Sequence, residues 1–315
     1  MDTAELQKLA VHSRSMREAG FALIFASFIL ALFIFIPQTF QKPVPAPIVA
    51  TVEPIPDAYA DVSVEAKAAI VYDLATGETL YAKNAEAQLP LASLTKLLTV
   101  YAALSVLSPA TPITIPAEAA TMEAPHAFNV GQTFSLADLA RLTLTASLND
   151  GAAAIAIATA ERQNTSESAM LAGAAAALNL SQTYAMNGSG LDMSSTISGG
   201  YGSAHDVAVL AGALVKVAPD IATATTQNSA QAVSLGGTSF SVKNTDPVTM
   251  SISRLLLSKT GYTDLAGGNL ALVFDAGVEH PIAVIILGSS KESRFTDGTA
   301  LVNATLAHFA GVSAL

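Results

Sequence analysis

The chain contains no cysteine, so neither a disulfide framework nor a thiolate metal site is available to it. It also lacks a basic surplus: 15 Lys and Arg stand against 25 Asp and Glu, for a net charge of −10. Nucleic-acid binding needs a positive footprint, and that class is excluded. The five histidines, His12, His126, His205, His280 and His308, are scattered without ligand-like spacing. No metal is implied, no motif calls for an organic cofactor, and each histidine reads as solvated or hydrogen-bonded. Internal repeats are absent as well.

Apolar residues, by contrast, make up 51% of the 315, enough for the core of one large domain or two modest ones. Part of that excess is local. "AGFALIFASFILALFIFI" (Ala19 to Ile36) runs for 18 residues without a charge, roughly 27 Å of helix, close to the hydrocarbon thickness of a bilayer. Lys8, Arg14 and Arg17 precede it and only Lys42 follows closely, so the positive-inside bias puts residues 1–18 in the cytoplasm and everything after the span outside. Its length favours an uncleaved anchor over a signal peptide, and Ala58-Tyr59-Ala60 comes too late for a cleavage site. The proline-rich, aperiodic residues 37–60 read as an extended linker. Residues 61–315 then form an extracytoplasmic domain.

Within that domain "AAIVYDLATGETLYAKN" (Ala68 to Asn84) has two β-rich runs about a turn at Ala75-Thr76-Gly77, a hairpin. "SLTKLLTVYAALSVL" follows with helical spacing and Ser93 at its start. Residues 135–160 read as two helices with a polar break at Ser147-Leu148-Asn149-Asp150, and residues 168–180 and 203–217 as two more. From Ser251 the pattern turns to strands, closed by a helix over 297–309. Strands at both ends with helices between predict an α/β (α+β) unit whose N-terminal hairpin joins a C-terminal antiparallel sheet.

Three short motifs carry candidate chemistry. Ser93 and Lys96 are three apart on a helix and share a face, so the amine can approach the hydroxyl. A serine needs such a base to become a nucleophile. The helix N-terminus and burial among Leu91, Leu94 and Leu97 both lower the lysine pKa. Alone, the pair reads more simply as an N-cap and a surface charge. Ser147-Leu148-Asn149 sits where side chains can point into a cleft, or else is a helix stop with its cap. Lys259-Thr260-Gly261 lies on a predicted strand, with an exposed edge strand as its plainer reading. The ordered set outweighs its members.

Together with "AAIVYDLATGETLYAKNAEAQLPLASLTKLLT", "GQTFSLADLARLTLTASLNDGAAA", "GSGLDMSSTISGGYGSAHDVAVLAGAL", "SKTGYTDLAGGNLALV" and "GSSKESRFTD", the motifs resemble the D-alanyl-D-alanine carboxypeptidases, low-molecular-mass penicillin-binding proteins of the β-lactamase/transpeptidase-like serine acyltransferases. The resemblance runs from about Val64 to Ala310. It implies that fold, with helices on both sides of the sheet, and a serine peptidase acting on peptidoglycan stem pentapeptides, with β-lactams as covalent inhibitors. It implies that Ser93 forms an acyl-enzyme on the penultimate D-alanine carbonyl with Lys96 as general base. Ser147 would pass the proton to the departing D-alanine, and Asn149 would hold Lys96 and the substrate backbone. Lys259 and Thr260, with Gly261 beside them, would grip the terminal carboxylate, and the N–H groups of Ser93 and Tyr262 would form the oxyanion hole. Arg294, in "SRFTD", aligns with an arginine near that carboxylate or is a surface residue of a helix start.

One motif position departs from the family, which usually has Ser-Gly-Asn where this chain has Ser147-Leu148-Asn149. Leucine there adds bulk by the cleft. A serine β-lactamase using Glu-x-x-Leu-Asn is the nearest rival, but before Leu178-Asn179 the glutamate position is Ala175, and Glu161 and Glu167 lie outside the motif. An esterase on the same scaffold and a catalytically silent peptidoglycan-binding protein are two further rivals. Relatives often add a second β-domain and a C-terminal amphipathic helix. In the sequence as it stands the N-terminal span would replace that anchor.

Overall fold

A computed structural model describes residues 2–39 and 57–311, which fall into two units, Met1–Pro54 and Ile55–Leu315. In the first, a single helix α1 (Thr3–Thr39) runs unbroken through both the expected cytoplasmic residues and the expected span. Its stretch Thr3–Ile34 is long and apolar enough to cross a membrane. Phe21, Leu23, Phe25, Phe28 and Phe33 along it are all exposed, and each such side chain gains roughly 1.5–3 kcal/mol on leaving water. The helix takes in residues 37–39 of the expected linker, and residues 40–56 of that linker lie outside the described residues.

The second unit is built on a five-stranded antiparallel sheet. Strands β1 (Ala68–Asp73), β2 (Thr79–Lys83), β3 (Leu255–Thr263), β4 (Gly267–Asp275) and β5 (Pro281–Ser289) pair in the order β3-β4-β5-β1-β2. The N-terminal hairpin thus joins the C-terminal strands, as expected. β1 and β5 pair from Ala68 opposite Leu287 to Asp73 opposite Ile282.

Runs such as "PIAVIIL" show no polar alternation because the sheet is covered on both faces. Ala283, Ile285 and Leu287 face one core with Ala68, Ile70, Ala271 and Val273. Ile282, Val284 and Ile286 face another with Val71, Leu270, Leu272 and Phe274. Period-two geometry sorts neighbouring residues onto the two faces. Helix α6 (Ala204–Val217) packs on the first face and α7 (Ser293–Ala310) on the second. Ala58 and Tyr59, assigned from sequence to the linker, are buried, and the Tyr59 hydroxyl donates to Thr305 Oγ1 at 3.0 Å. The folded unit therefore takes them in.

On the first face stand α2 (Thr95–Val106), α3 (Leu136–Ala146), α4 (Asn149–Gln163) and α5 (Glu167–Ala177). Ser135 caps α3 by accepting the Asp138 N–H at 3.1 Å. The break after α3 is shorter than expected, since Asn149 and Asp150 already form the first turn of α4. α7 likewise starts four residues before the expected position.

Candidate active site

The chain reaches Ser93 through a tight backbone crossing. Leu91 N–H bonds to Gly200 O at 2.9 Å, and a 3-10 turn, Ala92–Leu94, leads directly into α2. Ala92 has a φ of 47°, a left-handed conformation uncommon for a residue with a Cβ. The turn is held from behind by Gly190, where a Cβ would lie 2.0 Å from Ala92 O. Ala92 and Leu94 are buried while Ser93 stays partly exposed. The hydroxyl is therefore the accessible group of the turn.

Lys96 is fully buried, and its Nζ donates to Ser93 Oγ at 2.8 Å, Asn149 Oδ1 at 2.7 Å and Ser189 O at 2.7 Å. All three donor positions point at named acceptors. Burial lowers its pKa to about 7, against the opposing pull of Asp150. The expected approach of the amine to the hydroxyl and the expected pKa direction are both seen, though Ser93 stands in the 3-10 turn ahead of α2 and not in the helix itself. Ser189 was not anticipated, because its contribution is a main-chain carbonyl and carries no residue-type signal. Asn187 Oδ1 fixes that loop by accepting the N–H of Gly190 at 2.8 Å and the Ser189 hydroxyl at 2.9 Å.

The second motif occupies the link between α3 and α4. Ser147 takes a left-handed φ of 59° at the end of α3, which swings its side chain towards the sheet. Lys259 Nζ donates to Ser147 Oγ at 2.8 Å and to Thr260 O at 2.6 Å. Leu148, expected to crowd the cleft, is only 4% exposed and belongs to the core on the helical side. Its bulk is absorbed by packing. Asp150, also unforeseen as a site residue, accepts the N–H groups of Ala127 and Phe128, both at 2.7 Å, and of Gly151 at 2.8 Å. The loop so fixed supplies Glu123 O to Asn149 Nδ2 at 2.9 Å. An acid in a helix first turn was the only sequence signal for it.

The third motif lies on β3, at the edge of the sheet. Ser258 N–H turns away from β4 to Thr225 Oγ1 at 2.9 Å. Alternation places the N–H of Thr260 and Tyr262 on the same unpaired edge. Gly261 runs close against the nucleophile turn: a Cβ there would sit 3.0 Å from Leu91 O and 3.3 Å from Ser93 N. The Ser93 turn and the Tyr262 edge thus border one space. The Tyr262 ring is exposed beneath Lys291 Nζ.

Lys259 is buried, and its pKa is held well below the ordinary lysine value, first by burial and then by the nearby Lys96 and Arg294, against Asp246. Thr260 Oγ1 lies 2.6 Å from Thr245 Oγ1. Arg294 sits in the first turn of α7 yet is only 6% exposed, and its Nη1 donates to Gly261 O at 2.6 Å. The surface reading of Arg294 is therefore set aside. Glu167 accepts the Gly188 N–H at 3.2 Å, while Ala175 is buried. Among the described residues, no group of three His, Cys, Asp or Glu side chains is placed to hold a metal ion.

Comparison with known proteins places the chain in a family. No curated protein matches the chain. Penicillin-binding protein D2 from Listeria monocytogenes, in its ampicillin-bound form, is 25% identical with a TM-score of 0.66, covering 78% of this chain and 99% of that one. A D-alanyl-D-alanine carboxypeptidase from Mycobacterium tuberculosis H37Rv shares the fold at 24% identity and a TM-score of 0.69, over 82% and 95% of the two chains. The D-alanyl-D-alanine carboxypeptidase DacD from Francisella tularensis does so at 20% and 0.68, over 78% and 71%. The family model described as D-alanyl-D-alanine carboxypeptidase, peptidase S11, matches residues 54–290. The chain belongs to this family of serine peptidases.

Proposed function

We propose that the chain removes the terminal D-alanine of peptidoglycan stem pentapeptides through an acyl-enzyme on Ser93. The observation that carries this reading is the buried Lys96 amine, 2.8 Å from Ser93 Oγ with its pKa at about 7. At neutral pH a large share of it is uncharged and ready to accept a proton.

As Ser93 Oγ attacks the penultimate D-alanine carbonyl, its proton passes to Lys96, and the new oxyanion lies between the N–H groups of Ser93 and Tyr262. The peptide bond breaks, and Ser147, paired with Lys259, passes its proton to the leaving amine and takes the one held by Lys96, which returns Lys96 to its neutral form. Water then attacks the acyl-Ser93 ester and gives its proton to Lys96, which returns it to Ser93 Oγ as the ester bond breaks and the shortened peptide leaves. Asn149 holds Lys96 and the substrate backbone. Lys259, Thr260 and Arg294 face the terminal carboxylate, and the arriving anion favours the charged form of Lys259.

β-Lactams present a similar carboxylate beside an amide and acylate the same serine. Labelling with a fluorescent penicillin, followed by mass mapping, tests this. A stable adduct on Ser93, lost in Ser93→Ala, with D-alanine release from a pentapeptide, supports the reading. A folded chain that forms no adduct refutes it, and rapid turnover of the drug points to a β-lactamase instead.

Residues 19–36 of α1 serve as a single-pass anchor in the cell membrane, with residues 1–18 cytoplasmic and the tether and folded unit that follow extracytoplasmic. The exposed apolar surface of α1 and its N-terminal Lys8, Arg14 and Arg17 support this. A mature N-terminus near Asp61, found by mass spectrometry, would overturn it.

A further inference from the structure

Alongside β3, the segment after strand Ser239–Lys243 carries a carboxylate outside the three motifs. Asp246 is 3% exposed. Its Oδ2 accepts the Ser258 hydroxyl at 2.5 Å and its Oδ1 accepts the Val248 N–H at 2.8 Å. Asp246 N–H in turn bonds to Asn244 Oδ1 at 2.9 Å. Both carboxylate oxygens and the backbone are committed, so the anion has a fixed position. Ser258 directly precedes Lys259, and the next residue along the segment from Asp246, Thr245, meets Thr260. The segment is thus bonded along β3 at the two positions that flank Lys259.

A buried carboxylate is costly unless cations or donors compensate it. Asp246 forms no ion pair within salt-bridge distance among the described residues. Among the described residues, Lys96 from α2 and Arg294 from α7 lower the Lys259 pKa, and Asp246 raises it. Burial lowers the Arg294 pKa, and the same carboxylate opposes that shift. Two cations aimed at one small subsite repel each other, and a fixed anion alongside the strand offsets that repulsion without occupying the subsite.

We infer that Asp246 is a positioning residue of the reaction: a counter-charge locked on Ser258 that holds Lys259 and Arg294 in place for the substrate's terminal carboxylate. This rests on the carboxypeptidase reading above. Asp246 touches no substrate. Its effect passes through Lys259 and Arg294, so it governs binding of the anionic end more than the acylation of Ser93. Removing the anion makes Lys259 lose its proton at lower pH, which weakens the grip as pH rises.

The test is the kcat/KM–pH profile for D-alanine release from a pentapeptide by the full-length chain, for wild type, Asp246→Asn and Ser258→Ala. For Asp246→Asn, KM should rise about tenfold while kcat stays within about threefold, and the alkaline limb should move to lower pH. A merely structural role would lower melting temperature and leave the limb in place. A folded Asp246→Asn with the wild-type KM and alkaline limb overturns the inference. If that variant does not fold, Ser258→Ala decides: it frees the carboxylate from its place without removing it. A raised KM with the limb moved the same way supports the inference, and an unchanged profile overturns it. A wild-type chain that releases no D-alanine defeats the carboxypeptidase reading itself, and this inference with it. An active wild type with unaffected variants defeats the inference alone.

Discussion

Lys259 Nζ donates to Ser147 Oγ across 2.8 Å, joining residues 112 positions apart in the chain. The same distance separates Lys96 Nζ from Ser93 Oγ. Each serine therefore faces a buried lysine, and burial pushes both amines towards the neutral form. The arrangement puts a proton acceptor beside the attacking hydroxyl and a proton carrier on the leaving-group side.

Replacing Ser93 with alanine should abolish penicillin labelling and cut D-alanine release by at least about 10³-fold, while leaving the fold intact. Gel fluorescence with circular dichroism reads both. Labelling that persists in the variant would move the nucleophile elsewhere.

Acylation should rise with pH through the pKa of Lys96, about 7, because only the neutral amine accepts the Ser93 proton. The sign follows from a lysine pKa depressed by burial: below about 7 the amine is charged and idle. Stopped-flow acylation by penicillin across pH 5–9 (about two units either side of that value) would show this limb. A flat profile would exclude Lys96 as the base.

Changing Asp150 to asparagine should move that acid limb to lower pH, since Asp150 is the group that raises the Lys96 pKa. The same variant loses a carboxylate that accepts three backbone N–H groups, at a cost of about 2 kcal/mol in stability. Denaturant unfolding and the acylation profile should both shift. A limb that stays or moves upward contradicts the geometry.

Gly261→Ala places a methyl 3.0 Å from Leu91 O, forcing β3 away from the Ser93 turn. Acylation should fall by about 10²-fold with little change in melting temperature, because the N–H groups of Ser93 and Tyr262 no longer converge. Wild-type acylation rates in this variant would show that the two edges need not approach so closely.

Leu148→Ala should destabilise the domain by about 3 kcal/mol, the usual cost of emptying a buried leucine site, and leave the pH profile of acylation unmoved. A variant with unchanged stability but altered substrate preference would restore Leu148 to the cleft.

The antiparallel hairpin, the helix that follows Ser93 and the ordered trio of motifs were all legible in the sequence. Each depends on residues near one another in the chain. Boundaries were less legible where tertiary contacts overrode local cues. Asn149 and Asp150 look like a polar break, but their side chains satisfy Lys96 and the N–H groups of a distant loop, so they can open a helix. Tyr59 looked like linker until its hydroxyl found Thr305. Arg294 had two readings, and only burial against Gly261 O separated them.

The sequence by itself determined the composition of the site: a serine with a lysine one helical turn on, a second serine with asparagine, a lysine on a strand, and an apolar segment of membrane length ahead of them. Those follow from spacing and residue chemistry. Only the tertiary structure decided what each group meets. The Ser189 carbonyl on Lys96, the left-handed turn that aims Ser147 at Lys259, the core packing of Leu148 and the buried Asp246 alongside β3 all join residues distant in the chain. Buried polar groups must find partners wherever the fold brings them, and no local pattern records which partner that is.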